Sequence, residues 1–99
     1  MTDDRLIAAL AHPGRLSVMR WLADPTRHFP PQVHADPVAV GVCGVFIAEK
    51  LDVTPATASA HMKVLVDSGL VTAKRIGKWT YFKRSDAGLA ALIRILKEL

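Results

Sequence analysis

The sequence predicts a single, mainly α-helical domain of about five helices with one small two-stranded β-hairpin. Apolar residues recur at helical spacing in both terminal thirds of the 99-residue chain. One central stretch carries clear helix start and stop signals, and β-branched and aromatic residues flank a Gly-Lys pair further on. A domain over residues 1–99 is small enough that sharing a core with a second copy would help it.

Two helices are predicted before residue 24. Thr2 is expected to cap the first helix, which ends where Pro13 interrupts it. Pro13 is tolerated in a first helical turn and can therefore begin the second helix. The predicted inward residues are Leu6, Ile7 and Leu10 in the first helix, and Leu16, Met19, Leu22 and part of Trp21 in the second.

Residues 24–42 are predicted to form a proline-rich insertion loop. Its four prolines exclude a long helix and a central strand. Structureless loops of more than about 12 to 15 residues are uncommon inside compact domains and are usually functional or mobile. We favour a mobile excursion over a sensor or partner element.

A short helix, a turn and a longer helix are predicted next. Val42, Val45, Phe46 and Leu51 fit a short buried helix ending before Asp52. After a three-residue turn, Thr54 is the expected N-cap of the longer helix, Pro55 suits its first turn, and Gly69 ends it.

The longer helix has one core face and one face of short side chains. The core face holds Ala58, Met62 and Leu65, with Val66 at its margin. The opposite face holds Ala56, Thr57, Ala60 and Lys63, flanked by Ser59 and His61, whereas the outward Val64 has no explanation. Short side chains allow close approach to base edges, so this face suits the DNA major groove.

The residues after this helix predict a basic hairpin and a last helix. Residues 71–76 and 79–84 read as two strands around Gly77-Lys78. From Lys63 to Arg84 there are six basic residues and one acid, so the hairpin can contact phosphates as the wing of a winged helix-turn-helix. Ser85 or Asp86 can cap the last helix, within 85–99, whose apolar stripe is Leu89, Leu92, Ile93 and Leu96.

Three segments resemble the ArsR/SmtB family of bacterial winged helix-turn-helix transcriptional repressors. They are "LDVTPATASAHMKVLVDSGLV", the hairpin "KRIGKWTYFKR" and the early "LAHPGRLSVMRWL". The resemblance implies a homodimer in which the first and last helices pack together, and double-stranded DNA with an inverted-repeat operator as partner. It implies DNA contacts from Thr54, Ala56, Thr57, Ser59, His61, Lys63, Arg75 and Lys78, and a dimer interface of Leu6, Leu10, Leu89, Leu92, Ile93 and Leu96.

The metal sites of that family cannot be assembled from this sequence. Its "CVC" is reduced to "GVCGV", and residues 85–99 contain no histidine. A tight site needs three or four convergent ligands, so we expect no metal and no cofactor. His28, His34 and Cys43 remain as an alternative sensor region for a metal, an oxidant or an unidentified small-molecule inducer.

Composition narrows the function class and the compartment. The net charge of +4 favours an anionic partner. No nucleophile and base pair, carboxylate pair or phosphate loop emerges, so an enzyme is not expected. One cysteine, no export signal and no membrane-length apolar run predict a cytoplasmic protein without a membrane partner. A winged-helix protein-interaction module is the remaining rival, which the basic wing disfavours.

Overall fold

The computed structural model describes residues 2–99, without the side chains of Thr2 and Asp3. Six helices and three strands are found in that range. In chain order they are α1 (Thr2–Leu10), α2 (Pro13–Ala23), α3 (Pro25–His28), β1 (Val42–Cys43), α4 (Gly44–Leu51), α5 (Pro55–Ser68), β2 (Val71–Ile76), β3 (Trp79–Arg84) and α6 (Asp86–Lys97). The mainly helical fold with a hairpin is confirmed, and the capping role predicted for Thr2 lies outside the described side chains.

The predicted two-stranded hairpin is part of a three-stranded antiparallel sheet. Strands β2 and β3 pair from Val71 with Arg84 to Ile76 with Trp79, as the sequence predicts. The two-residue strand β1 adds to the other edge of β3, which gives the order β1-β3-β2. The two-stranded wing is confirmed, and β1 is an additional strand that was not predicted, because so short a strand has no periodicity of its own and exists only through its pairing.

The 24–42 insertion is more structured than a loop excursion. It begins with α3, the additional helix beyond the five predicted, and Phe29 after it is buried against the edge of Trp21. Its last residue, Val42, lies in β1 and is fully buried. The insertion therefore contributes to the core at both of its ends.

Several predicted core positions shift by one helical step. In α4, Ile47 and Ala48 are buried, whereas Val45 is exposed and Phe46 is half-buried. In α2, Val18 is buried and Leu16 is only half-buried. These helices are short, so an error of one or two residues in phase, at about 100° per residue, changes the buried face.

The core is built around α5. Its buried Met62 and Leu65 meet Val18 of α2, Ile47 of α4 and Leu70 after α5 in one cluster. The cluster fixes α5 against the rest of the domain and leaves its opposite face free. None of the helices described over residues 2–99 is long and apolar enough to cross a bilayer.

Candidate nucleic-acid interface

Local hydrogen bonds define the start of α5. The Thr54 hydroxyl oxygen accepts a hydrogen bond from the Thr57 backbone N–H at 3.2 Å and donates one to Thr57 Oγ1 at 3.0 Å. Pro55 occupies the first helical turn, and Gly69 ends the helix with a left-handed φ of 87°. The predicted boundaries are confirmed, and three residues, 52–54, separate α4 from α5. The pair α4–α5 is thus a helix-turn-helix.

The outer face of α5 consists of short side chains. Ala58, Met62 and Leu65 are buried as predicted, and Val64 is exposed. The exposed residues with small or flexible side chains are Ala56, Thr57, Ser59, Ala60 and Lys63. Because no bulky group lies among them, backbone and base edges can approach closely, and the hydroxyls can donate or accept hydrogen bonds.

His61 differs from the other predicted contacts because its ring packs against the α1–α2 corner. Its Nδ1 accepts a hydrogen bond from Arg15 Nη1 at 3.1 Å, and its ring centroid lies 4.4 Å from that of His12. Arg15 Nε in turn donates to the Ala9 carbonyl oxygen at 2.6 Å. In this structure His61 therefore acts first as a positioning residue, joining α5 to the end of α1.

The environment of His61 favours its neutral form. Burial lowers the pKa of His61 below its usual 6.5, and the neighbouring His12 and Arg15 lower it further. Arginine can only donate, so Nδ1 must be unprotonated and the ring proton lies on Nε2. His12 also caps α2 through Nδ1, which accepts from the Gly14 N–H at 3.0 Å. Sequence reasoning missed Arg15 because its partner His61 lies 46 residues away in the chain.

The hairpin tip presents Arg75 and Lys78. Gly77 supplies the positive φ of 61° between them. Arg75 Nε donates to the Gly77 carbonyl oxygen at 3.1 Å, and Lys78 Nζ lies 5.2 Å from the centroid of the Trp79 ring. These exposed contacts hold the side chains weakly, at about 0.5–1 kcal/mol for the cation–π contact. The cations remain available to phosphate.

A groove between α5 and the hairpin collects several predicted contacts. Ser59 and Lys63 of α5 and Lys78 of the hairpin line this cleft of about 470 Å³. Lys63 Nζ also pairs with Asp67 at 3.1 Å, with both side chains more than half exposed. Exposed i,i+4 pairs contribute roughly 0.3–0.5 kcal/mol, so a phosphate can displace Asp67 readily. The structure thus brings helix and hairpin cations to one surface.

The predicted dimer residues divide into two groups. Leu6 and Leu92 are buried inside the protomer, and Leu10 and Leu89 pack against its core. Ile93 and Leu96 are 48% and 50% exposed. Ile7 of α1, predicted as a core residue, is also exposed at 42%. The exposed surface available to a second copy is therefore narrower than predicted, and the interface itself stays a prediction.

The three predicted sensor residues are not all brought together. His34 and Cys43 line one cleft beside the sheet, whereas His28 lies at the end of α3 and does not line that cleft. Among the side chains described, those of residues 4–99, no three His, Cys, Asp or Glu side chains are grouped so as to hold a metal ion.

The fold and this surface together define a winged helix-turn-helix domain of the kind that transcriptional regulators use. No protein-family model matches the chain. An uncharacterised HTH-type transcriptional regulator of Bacillus subtilis (strain 168), YbzH, is 42% identical over 97 residues, covering 98% of this chain and 97% of that protein.

Solved structures with a similar fold are also those of transcriptional regulators. An ArsR-family transcriptional regulator superimposes with a TM-score of 0.74 at 20% identity, over 98% of this chain and 84% of its own. The homodimeric winged helix-turn-helix DNA-binding domain from Mycobacterium bovis, a possible ArsR-family regulator, has a TM-score of 0.67 at 26% identity, over 98% and 79% of the two chains. The chain belongs to the ArsR family of winged helix-turn-helix transcriptional regulators.

Proposed function

We propose that this regulator is a homodimeric repressor that binds an inverted-repeat DNA operator. The observation that carries the proposal is the groove in which Ser59 and Lys63 of α5 meet Lys78 of the hairpin. A helix surface of short side chains beside a cationic hairpin fits a major groove and its flanking backbone. We also propose that the protein is cytoplasmic, has no enzymatic activity and uses neither a metal nor another cofactor.

Two kinds of DNA contact are proposed. Ala56, Thr57 and Ser59 face the base edges, where methyl groups can contact thymine and hydroxyls can form hydrogen bonds. Thr54, Lys63, Arg75 and Lys78 contact phosphates, Thr54 through the exposed hydroxyl at the helix start. His61 supports this surface from behind, through Arg15.

A dimer would place two such surfaces on one face of the DNA. The homodimeric Mycobacterium bovis domain supports this assembly, and α1 and α6 carry the exposed Ile7, Ile93 and Leu96 that a partner could cover. In a two-fold dimer the two α5 helices would enter successive major grooves about 34–36 Å apart. An inverted repeat with half-sites about one helical turn apart follows from that geometry.

Selection from a random-sequence DNA pool tests the proposal. We expect an enriched palindrome and a steep loss of affinity with salt. The variant Arg75→Ala/Lys78→Ala removes two cations per protomer. For a dimer, the negative slope of log K against log[salt] should therefore become shallower by about 3 to 4. Arg20→Ala/Arg27→Ala is the matched control, since it removes the same charge from exposed positions on α2 and α3.

The outcomes separate the proposal from its alternatives. An enriched palindrome and a slope reduced only in the hairpin variant support it. If no motif is enriched, or if both variants reduce the slope equally, the proposed interface is wrong. Analytical ultracentrifugation with and without the selected DNA checks that two copies bind each site.

A further inference from the structure

A second cleft, of about 260 Å³, lies on the side of the sheet away from α5. It is bounded by the insertion, the start of α4 and strand β3. Its lining residues are Pro31, Gln32, Val33, His34, Cys43, Val45, Phe46, Trp79 and Tyr81. None of these residues is a lysine, arginine, aspartate or glutamate, whereas the groove beside α5 is lined by Lys63, Asp67 and Lys78.

Tyr81 is buried on a face of the sheet that would otherwise meet solvent. Side chains alternate between the two faces of a strand, and the next residue, Phe82, packs into the core. Tyr81 therefore belongs to the outer face, beside its cross-strand partner Cys43. It is nevertheless only 4% exposed. The insertion residues that line the cleft with Tyr81 shield its ring from solvent.

The Tyr81 hydroxyl has no protein partner within the described part of the chain. A buried tyrosine usually satisfies its hydroxyl with a hydrogen bond. No buried side-chain oxygen among residues 4–99 is both enclosed and unpartnered, so this oxygen is open to its surroundings. Tyr81 also lines the cleft, so a molecule bound there contacts the residue whose hydroxyl lacks a protein partner.

Gln32 holds the insertion wall of the cleft in place. Its Nε2 donates to the carbonyl oxygens of Ala35 and Gly41, both at 3.0 Å. Its Oε1 accepts from the Cys43 backbone N–H at 2.8 Å. The amide nitrogen thus joins parts of the insertion to one another, and the amide oxygen ties the insertion to β1. The cleft is preformed, which lowers the entropic cost of binding.

We propose that this cleft is an effector site for a neutral aromatic molecule of one or two rings bearing one hydroxyl or carbonyl group. The volume suits such a ring system, since an apolar cavity of about 150 Å³ holds benzene. Val33, 90% exposed, and Trp79 supply apolar contact, and the Tyr81 hydroxyl supplies one hydrogen bond. A charged group would find no Lys, Arg, Asp or Glu side chain among the lining residues to offset its desolvation.

The effector role rests on the proposed DNA-binding function. Trp79 and Val45 line both this cleft and the groove between α5 and the hairpin. A molecule bound in the cleft therefore contacts the hairpin and the first helix of the helix-turn-helix. By linkage, a ligand that changes DNA affinity must itself bind DNA-bound and free protein with different affinities.

Titration with 2-naphthol, followed by amide and indole NMR signals, tests the site in the full chain. We expect saturable shifts at Gln32, Val33, Cys43 and the Trp79 indole. Tyr81→Phe keeps the ring and removes one neutral hydrogen bond, so the affinity should fall about fivefold. Naphthalene-2-sulfonate, the charged analogue, should bind at least about tenfold more weakly.

Two surface variants make the binding test specific. Val33→Glu places a charge in the cleft at an exposed position and should abolish binding. Val38→Glu makes the same change at another exposed valine of the insertion, outside the cleft, and should leave binding unchanged. Absence of saturable binding, or equal affinity in the wild type and in the Val33→Glu variant, overturns the site.

The effector role is tested by measuring affinity for the selected operator with and without saturating 2-naphthol. We expect at least a threefold change in DNA affinity for the wild type and Val38→Glu, and none for Val33→Glu. Binding of 2-naphthol without any change in DNA affinity overturns the effector role. Failure of the ligand-free protein to bind DNA contradicts the proposed function instead, and the NMR result is judged separately from it.

Discussion

Gly88→Ala probes how α6 is packed on the domain. A methyl group at Gly88 would overlap the Gly69 carbonyl oxygen and would lie 2.8 Å from the Gly69 carbonyl carbon and 3.0 Å from the Leu70 Cα. All three are backbone atoms, so no side-chain rotation relieves the overlap. Helix propensity alone would make the Gly88→Ala variant more stable than the wild type by about 1 kcal/mol. Overpacking costs roughly 1–3 kcal/mol or more and should reverse that sign.

Urea denaturation at a fixed protomer concentration measures the effect, because a dimer makes stability concentration-dependent. Ala90→Gly, at an exposed position of the same helix, is the control and should cost about 1 kcal/mol through propensity alone. We expect Gly88→Ala to lower the free energy of unfolding as well, whereas helix propensity alone would raise it. Stabilisation by Gly88→Ala would refute the close packing of α6 on Gly69 and Leu70.

Three further changes test other parts of the structure. Thr54→Ala removes the α5 cap and should lower the free energy of unfolding by about 1 kcal/mol in thermal or urea unfolding; an unchanged stability contradicts the capping role. Gln32→Ala removes three hydrogen bonds, and limited proteolysis should cut the insertion faster than in the wild type; equal rates contradict its anchoring role. Because His61 has a lowered pKa, the unfolded chain binds more protons just below pH 6.5. Stability should therefore fall as the pH decreases from 6.5, and less steeply in His61→Gln; identical pH profiles would refute this account.

The parts predicted from the sequence are those fixed by local chemistry. The Thr54 cap, the first-turn Pro55 and the αL Gly69 each act within a few residues, so the bounds of α5 could be read directly. The strands around Gly77 follow from alternation and turn preference in the same way. The small-residue face of α5 follows from helical periodicity once those bounds are set.

The parts that were missed depend on long-range contacts. Strand β1 exists because Val42 pairs with Phe82, 40 residues later in the chain. Gln32 fixes the insertion through partners that no local pattern reveals. His61 turns toward Arg15, 46 residues earlier in the chain. Short-range rules contain no information about such pairings, which tertiary packing alone decides.

The third strand has a thermodynamic consequence for the proposed binding of the hairpin to DNA. Immobilising one flexible residue costs about 1–2 kcal/mol in conformational entropy. With β1 on one side and β2 on the other, the middle of β3 is paired on both of its edges, at Tyr81 and Phe82. This part of β3 is held on both sides in the free protein, so it has less conformational entropy left to lose than the tip around Gly77. In the proposed complex, more of the energy of the hairpin–phosphate contacts would then appear as affinity.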